Sequence, residues 1–196
     1  MLLPRSFIAF MARELAHRLA DGSCEVPNEA VLREALEEVI VDELSLEDEI
    51  NAEARELLNQ YGDYMRQQRI PYQEMFWKVK RQILAERKVI SAQVRGAERE
   101  MKISRDKLNE ISHKLAARLP RILGVRLKKS WNDVRLDIVN ALRDLLTREE
   151  AVDRAAHEKI TNQKRDIPEG SEEWTLLYRR YYDEEMRRYG IDLSVV

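Results

Sequence analysis

Apolar residues recur along this chain at intervals of three and four, the period of an α-helix packed on one face. Ile8, Met11, Leu15 and Leu19 form a first stripe, with Pro4 suited to a first-turn position and Asp21-Gly22 closing the segment. Leu32, Leu36, Val39, Ile50, Ala54, Leu57 and Tyr61 hold one phase for some thirty residues behind Asn28, a good N-cap. Because that phase continues through Glu43 and Leu46, the pattern predicts one uninterrupted helix on the order of 50 Å long. A third helix begins at Pro71, with Tyr72, Met75, Phe76, Val79 and Ile83 on its apolar side. Strict alternation, the mark of a half-buried strand, is missing; no Asn-Gly occurs, and the one Asp-Gly, Asp21-Gly22, closes a helical segment rather than joining two alternating runs.

The same three-part pattern then returns. Leu108, Ile111, Leu115 and Leu119 follow Ser104, a plausible N-cap, and stop at Pro120. Val134, Ile138, Ala141, Leu145, Val152 and Ala155 follow Ser130, and Trp174, Leu177, Tyr178 and Tyr181 follow Ser171 and end at Gly190. Individual residues repeat as well. Met1, Arg5, Leu15, Ala16, Arg18 and Leu19 recur as Met101, Arg105, Leu115, Ala116, Arg118 and Leu119. Past Gly22, which recurs as Gly124, the register moves to 102: Arg33, Asp42, Leu44, Glu47, Ala54 and Glu56 recur as Arg135, Asp144, Leu146, Glu149, Ala156 and Glu158.

Helix lengths suggest how the pieces assemble. A first helix of roughly 22 Å cannot cover a second of roughly 50 Å. The far half of the long helix must be covered by the third helix folding back. The expected fold is therefore all-α: an antiparallel four-helix-bundle base with two projecting helical-hairpin arms, Y-like in outline, built from two three-helix repeats. The expected units are residues 1–90, a linker at 91–100 that can itself be helical, residues 101–191, and a tail at 192–196. A chain that carries both halves covalently is expected to be a monomer, a fused pseudo-dimer.

The opening Met1-Leu2-Leu3-Pro4-Arg5 and Met101-Lys102-Ile103-Ser104-Arg105, the acidic long helix, and the closing Tyr72, Phe76, Lys80, Leu84, Ala85 and Arg87 pattern resemble the bacterial family known as domain of unknown function 507. The resemblance covers almost the whole chain, as two tandem copies. It implies an all-α, Y-like fold with a helical base and arms, and it implies no activity, because none is assigned to the family. The second copy departs from the pattern at its third helix, where Tyr181 and Tyr182 fall near the Lys80 and Leu84 region.

Composition narrows the function classes. Lys and Arg (34) nearly balance Asp and Glu (36) in 196 residues, so no global polybasic character suits the chain to nucleic acid. The single Cys24 excludes an intrachain disulfide and fits a reducing compartment. The longest uninterrupted apolar run, Phe7 to Ala12, is far short of the roughly 20 residues that span a bilayer. A cytoplasmic protein with no membrane partner is the expectation.

Chemical motifs are few. Glu14 with His17 and Glu110 with His113 are Glu-x-x-His pairs, which in a four-helix bundle belong to di-iron or di-manganese sites when two further carboxylates join them. Their phase lies well off the apolar stripes. Moreover Glu14 aligns with Lys114 and His17 with Ala117, so the motifs are not equivalent across the repeat. They are expected on the surface, and a di-metal carboxylate enzyme is a remote alternative. The ten acids between Glu34 and Glu56 lack the glycine and alternation of a calcium loop and read as a solvated helix face.

The basic run Lys114, Arg118, Arg121, Arg126, Lys128, Lys129 and Arg135 suits either a phosphate-binding patch with Trp131 beside it or docking onto the acidic long helix of the first half. At the expected arm tips, Tyr61, Tyr64, Arg66 and Arg69 interleave aromatics and cations, and Lys164 and Arg165 lie at the second tip. No phosphate loop, nucleophile elbow, dinucleotide turn or zinc spacing occurs, so no cofactor, metal or catalytic residue is assigned. The leading expectation is a non-enzymatic interaction or scaffold protein that presents two arms to a macromolecule, protein or RNA. The alternative is RNA or ribosome binding through segment 114–135 and the arm tips, with Tyr61, Tyr64, Arg66, Arg69, Lys128, Lys129, Lys164 and Arg165 as candidate contacts.

Overall fold

A computed structural model describes residues 3–92, 102–163, 165, 167–169 and 171–191. Among these the chain is mostly helical. Helix α1 spans Arg5–Gly22, α2 Glu29–Gln60, the single-turn α3 Gly62–Gln67, α4 Tyr72–Arg87, α5 Arg105–Arg118, α6 Trp131–Thr161 and α7 Glu172–Arg188. The long helix is continuous, with 32 residues in α2 and 31 in α6, or about 47 Å each. Three short additions escape the periodicity: α3, a 3-10 turn over Leu119–Arg121, and a pair of two-residue strands, β1 (Cys24–Glu25) and β2 (Arg126–Leu127).

The helix starts follow from the capping residues. The Asn28 side chain accepts hydrogen bonds from the Ala30 and Val31 amides. Ser104, Ser130 and Ser171 accept from the amides of Lys107, Asp133 and Trp174, each three residues on. Each such bond satisfies an amide the helix itself leaves unpaired. Gly190 ends α7 with φ at +72°, and the Gly190 and Ile191 amides return to Arg187 and Met186.

The helices of the two halves pack on one another. α1 packs on α2 and on α6, and α5 packs on α6 and on α2, while α4 lies on α2 and α7 on α6. One core runs through both halves, from Leu3, Phe7 and Leu36 to Leu115, Leu142 and Met186. A second, smaller cluster of Ile50, Ala54, Ile83 and Leu84 sits between the far part of α2 and α4. The strands pair antiparallel, Cys24 with Leu127 and Glu25 with Arg126. With a repeat register of 102, position 24 corresponds to 126 and 25 to 127, so each pair maps onto the other. The inter-half link therefore has the symmetry of a two-fold axis. Most of the linker at 91–100 and the tail at 192–196 lie outside the described residues.

Candidate functional site

The acidic face of α2 is where the structure departs most from the expected solvated surface. Glu43 and Glu47 are buried. On a helix they share the face of Ile40, Leu44, Ile50 and Ala54, at intervals of three and four. A buried carboxylate has to be paired, and both are. Glu47 accepts the Lys80 ammonium at 2.6 Å, the Ser91 hydroxyl at 3.1 Å and the Ala92 amide at 2.5 Å. Lys80 is 1% exposed and lies 5.1 Å from the Trp77 ring. Beside it, the Ser104 amide donates to the Ala92 carbonyl at 2.7 Å. One carboxylate thus ties α2, α4, the chain after α4 and the approach to α5 together.

Glu149 stands at the equivalent place on α6 and is fully buried. Its Oε1 accepts the Lys102 ammonium at 2.6 Å and the Tyr182 hydroxyl at 2.8 Å, while Oε2 is buried without a hydrogen bond. Lys102 also reaches Asp153 at 3.0 Å, and the Tyr178 hydroxyl donates to Asp153. Burial pushes the Asp153 carboxyl up, but Tyr178 and Lys102 outweigh it and hold the group below the usual carboxylate range. Burial and the neighbouring carboxylates push both phenols well above their ordinary value. His157 joins this side, its ring 5.3 Å from Trp174 and 5.0 Å from Tyr178.

A third cluster joins the halves. Lys107, 1% exposed, lies 2.9 Å from Glu43 and 2.9 Å from Glu110. Lys114 meets the other Glu43 oxygen at 2.6 Å and Glu110 at 3.1 Å. Burial alone would raise the Glu43 carboxyl; the two ammonium groups bring it below its ordinary value. The corresponding positions across the repeat, Phe7 and Leu145, are both buried and apolar.

These contacts decide several of the sequence readings. Lys114 and Arg118 turn toward α2, with Arg118 3.2 Å from Glu38, and Lys129 pairs with Asp137 at 2.9 Å. Lys114 and Arg118 thus follow the docking alternative, whereas Lys129 pairs with α6 of its own half. The Lys128 ammonium reaches the Ala20 carbonyl at 3.4 Å, and its amide donates to the Ser23 carbonyl at 2.9 Å. Tyr61 is exposed, as is Arg69, whose φ is +54°. The side chains of Tyr64 and Arg66, and Lys164 altogether, lie outside the described residues. Arg165 is exposed and pairs with Glu173 at 3.2 Å.

The Glu-x-x-His residues do not converge. His17 is largely exposed near Asp21 and Glu29, and the His113 ring lies 5.4 Å from Trp131. Glu110 departs from the expected surface position, because Lys107 and Lys114 hold it half-buried. No group of three candidate metal ligands occurs among the described residues. Cys24 is buried in the strand pair, and burial pushes its thiol up. Among the described residues no helix is long and apolar enough to cross a membrane.

The molecule is thus a mostly helical protein of the all-α class whose halves share a core and whose polar interior is braced by ion pairs. It belongs to the family described as "Protein of unknown function (DUF507)", whose profile matches residues 1–191. The match is a single copy over nearly the whole chain, so the expected tandem of two family domains is corrected. The physical reason is the shared core: the apolar stripes of α1, α5 and the near parts of α2 and α6 close on one another across the two halves. No curated protein matches the chain.

Sequence reasoning missed Glu47, Lys80, Glu149 and Lys102 as a related set. A signal was present: the repeat retains Glu47 as Glu149, and both fall on the apolar stripe of a long helix.

Proposed function

We propose that this protein is a non-enzymatic interaction protein of the cytoplasm, a monomer that presents two helical arms to a macromolecular partner. Its base is a four-helix bundle of α1, α5 and the near halves of α2 and α6. The hairpins α2–α4 and α6–α7 are the arms of a Y-like molecule, and their turns carry the contacts. The observation that carries this reading is the separate apolar cluster between α2 and α4, beyond the shared core, with the Lys80–Glu47 pair at its root. A hairpin with its own small core and a buried brace at its base is suited to hold a tip in a fixed place. Exposed Tyr61 and Arg69 at that tip supply an aromatic surface and a cation, residue types that anchor macromolecular interfaces.

The test is capture from a native lysate by the wild-type chain and by a Tyr61→Ala/Arg69→Glu variant. One macromolecule retained by the first and lost by the second is the expected result. Equal recovery by both, or recovery of nothing specific by either, overturns the reading. Light scattering on the purified chain checks the monomer, and a tight dimer counts against it.

A further inference from the structure

The solvent face of α7 carries a charge pattern that the arm-tip reading does not use. α7 packs against α6 through Trp174, Tyr178, Tyr182 and Glu185. On the opposite side Arg179, Arg180, Asp183 and Arg187 are all exposed, and they share one open surface patch with Leu176. At about 100° per residue they fall within roughly 100° of arc, directly away from α6. No ion pair or side-chain hydrogen bond engages any of the four among the described residues. Their acidic neighbours are already neutralised. Glu184 lies 2.7 Å from Lys159, and Glu185 lies 2.7 Å from Lys159 and 2.8 Å from Arg188. Three free guanidinium groups and one free carboxylate remain.

Three features of this face identify its ligand. Every cation is Arg, whose planar fork matches phosphate oxygens in pairs. Arg179 and Arg187 lie eight residues apart, about 12 Å along the helix, so they reach two separate negative charges rather than one ion. The carboxylate of Asp183 sits between them and accepts hydrogen bonds only. A ligand with phosphates at two places and a hydroxyl donor between them satisfies all four groups. Double-stranded RNA offers that: its wide, shallow minor groove displays 2′-hydroxyls between two phosphate rows. In DNA the same carboxylate would meet no 2′-hydroxyl and would only be repelled. We propose that the outer face of α7 binds the minor groove of an RNA duplex, with Arg179, Arg180 and Arg187 on phosphates and Asp183 on ribose hydroxyls.

Fluorescence anisotropy with a labelled 20-base-pair RNA duplex and the same sequence as DNA tests this on the full chain. Three phosphate contacts at a slope of about −0.9 each predict binding roughly 40-fold weaker at 200 mM than at 50 mM salt. RNA should bind more tightly than DNA. Arg179→Gln and Arg187→Gln should each lower the salt slope by about one. Asp183→Ala, which removes the acceptor that an asparagine would keep, should bring the DNA and RNA affinities together. Circular dichroism checks that the variants fold, and their exposed positions leave the core untouched. No salt-dependent binding, equal affinity for DNA, or arginine variants that bind like wild type each overturn the proposal. The Tyr61→Ala/Arg69→Glu variant separates this face from the arm tip: it should keep its RNA affinity, so either reading can fail alone.

Discussion

Glu47 and Glu149 occupy the same station on the two long helices, and each accepts a lysine ammonium at 2.6 Å in the protein interior. The lysines are not equivalent. Lys80 comes from α4, which packs on the same long helix as Glu47, whereas Lys102 comes from the chain just before α5. At the position corresponding to Lys80 stands Tyr182, whose hydroxyl still reaches Glu149 at 2.8 Å. The two halves therefore keep a buried acid and exchange the group that satisfies it. Glu47 is further tied to the chain after α4, while Glu149 belongs to an aromatic row of Tyr182, Tyr178 and Trp174.

Removing one member of such a pair should cost more than removing a surface partner. Lys80→Met leaves the Glu47 carboxylate buried without its ammonium and should lower unfolding free energy by about 3–5 kcal/mol. Lys114→Met takes away a lysine whose side chain is 45% exposed, while Lys107 stays on Glu43; its expected cost is at most about 1 kcal/mol. Urea denaturation of the two variants, with equal m-values, checks the order. A Lys80→Met variant as stable as wild type would show that Ser91 and the Ala92 amide suffice for Glu47.

Stability should fall at both ends of the pH scale. Glu43 and Asp153 are held below their ordinary values of 4.5 and 3.8 by the ammonium and hydroxyl groups that overcome their burial. Asp137 is lowered by the Ser23 hydroxyl and Lys129. A depressed carboxyl contributes stability that is present above its unfolded value and is lost as pH drops through the folded one. The loss should therefore begin near pH 4.5 and deepen below 3.8. Tyr178 and Tyr182 move the other way, their folded values standing above the ordinary 10.0. A raised group contributes fully below its unfolded value and is lost as pH rises, so stability should decline again from about pH 10. Thermal melts should be flat between about pH 6 and 9. In a Tyr182→Phe variant the alkaline decline should shrink while the acid limb persists.

The helices were legible because they obey local rules. Asn28, Ser104, Ser130 and Ser171 cap neighbouring amides, and each cap could be located from a few residues of sequence. The long α2 was legible for the same reason, since its apolar phase continues through the acidic stretch. Glu43 and Glu47 were misread because nothing local distinguishes a solvated glutamate from a buried one. What buries them is Lys107, 64 positions later, and Lys80, 33 positions later. The strand pair was invisible because two residues per strand show no alternation. The repeat itself was legible, and with it the expectation that the two halves meet in one base; the main core draws on both.

The repeat-related glycines Gly22 and Gly124 should respond oppositely to alanine. Gly124 has φ at +82°, a region costly for any residue with a Cβ. A Cβ there would also lie 2.6 Å from the ring Cγ of Pro27, so the loop before β2 touches the loop before α2 where only a hydrogen fits. Gly124→Ala should therefore destabilise the chain by about 1–3 kcal/mol, the range for a residue forced into such a conformation. Gly22 is the last residue of α1, and a Cβ there meets nothing within 4 Å. Gly22→Ala should be neutral, or stabilising by about 0.4–1 kcal/mol through the reduced freedom of the unfolded chain. Chemical denaturation of the two single variants decides it. Equal destabilisation by both would mean that the Pro27 contact relaxes freely and that φ alone does not set the cost at Gly124.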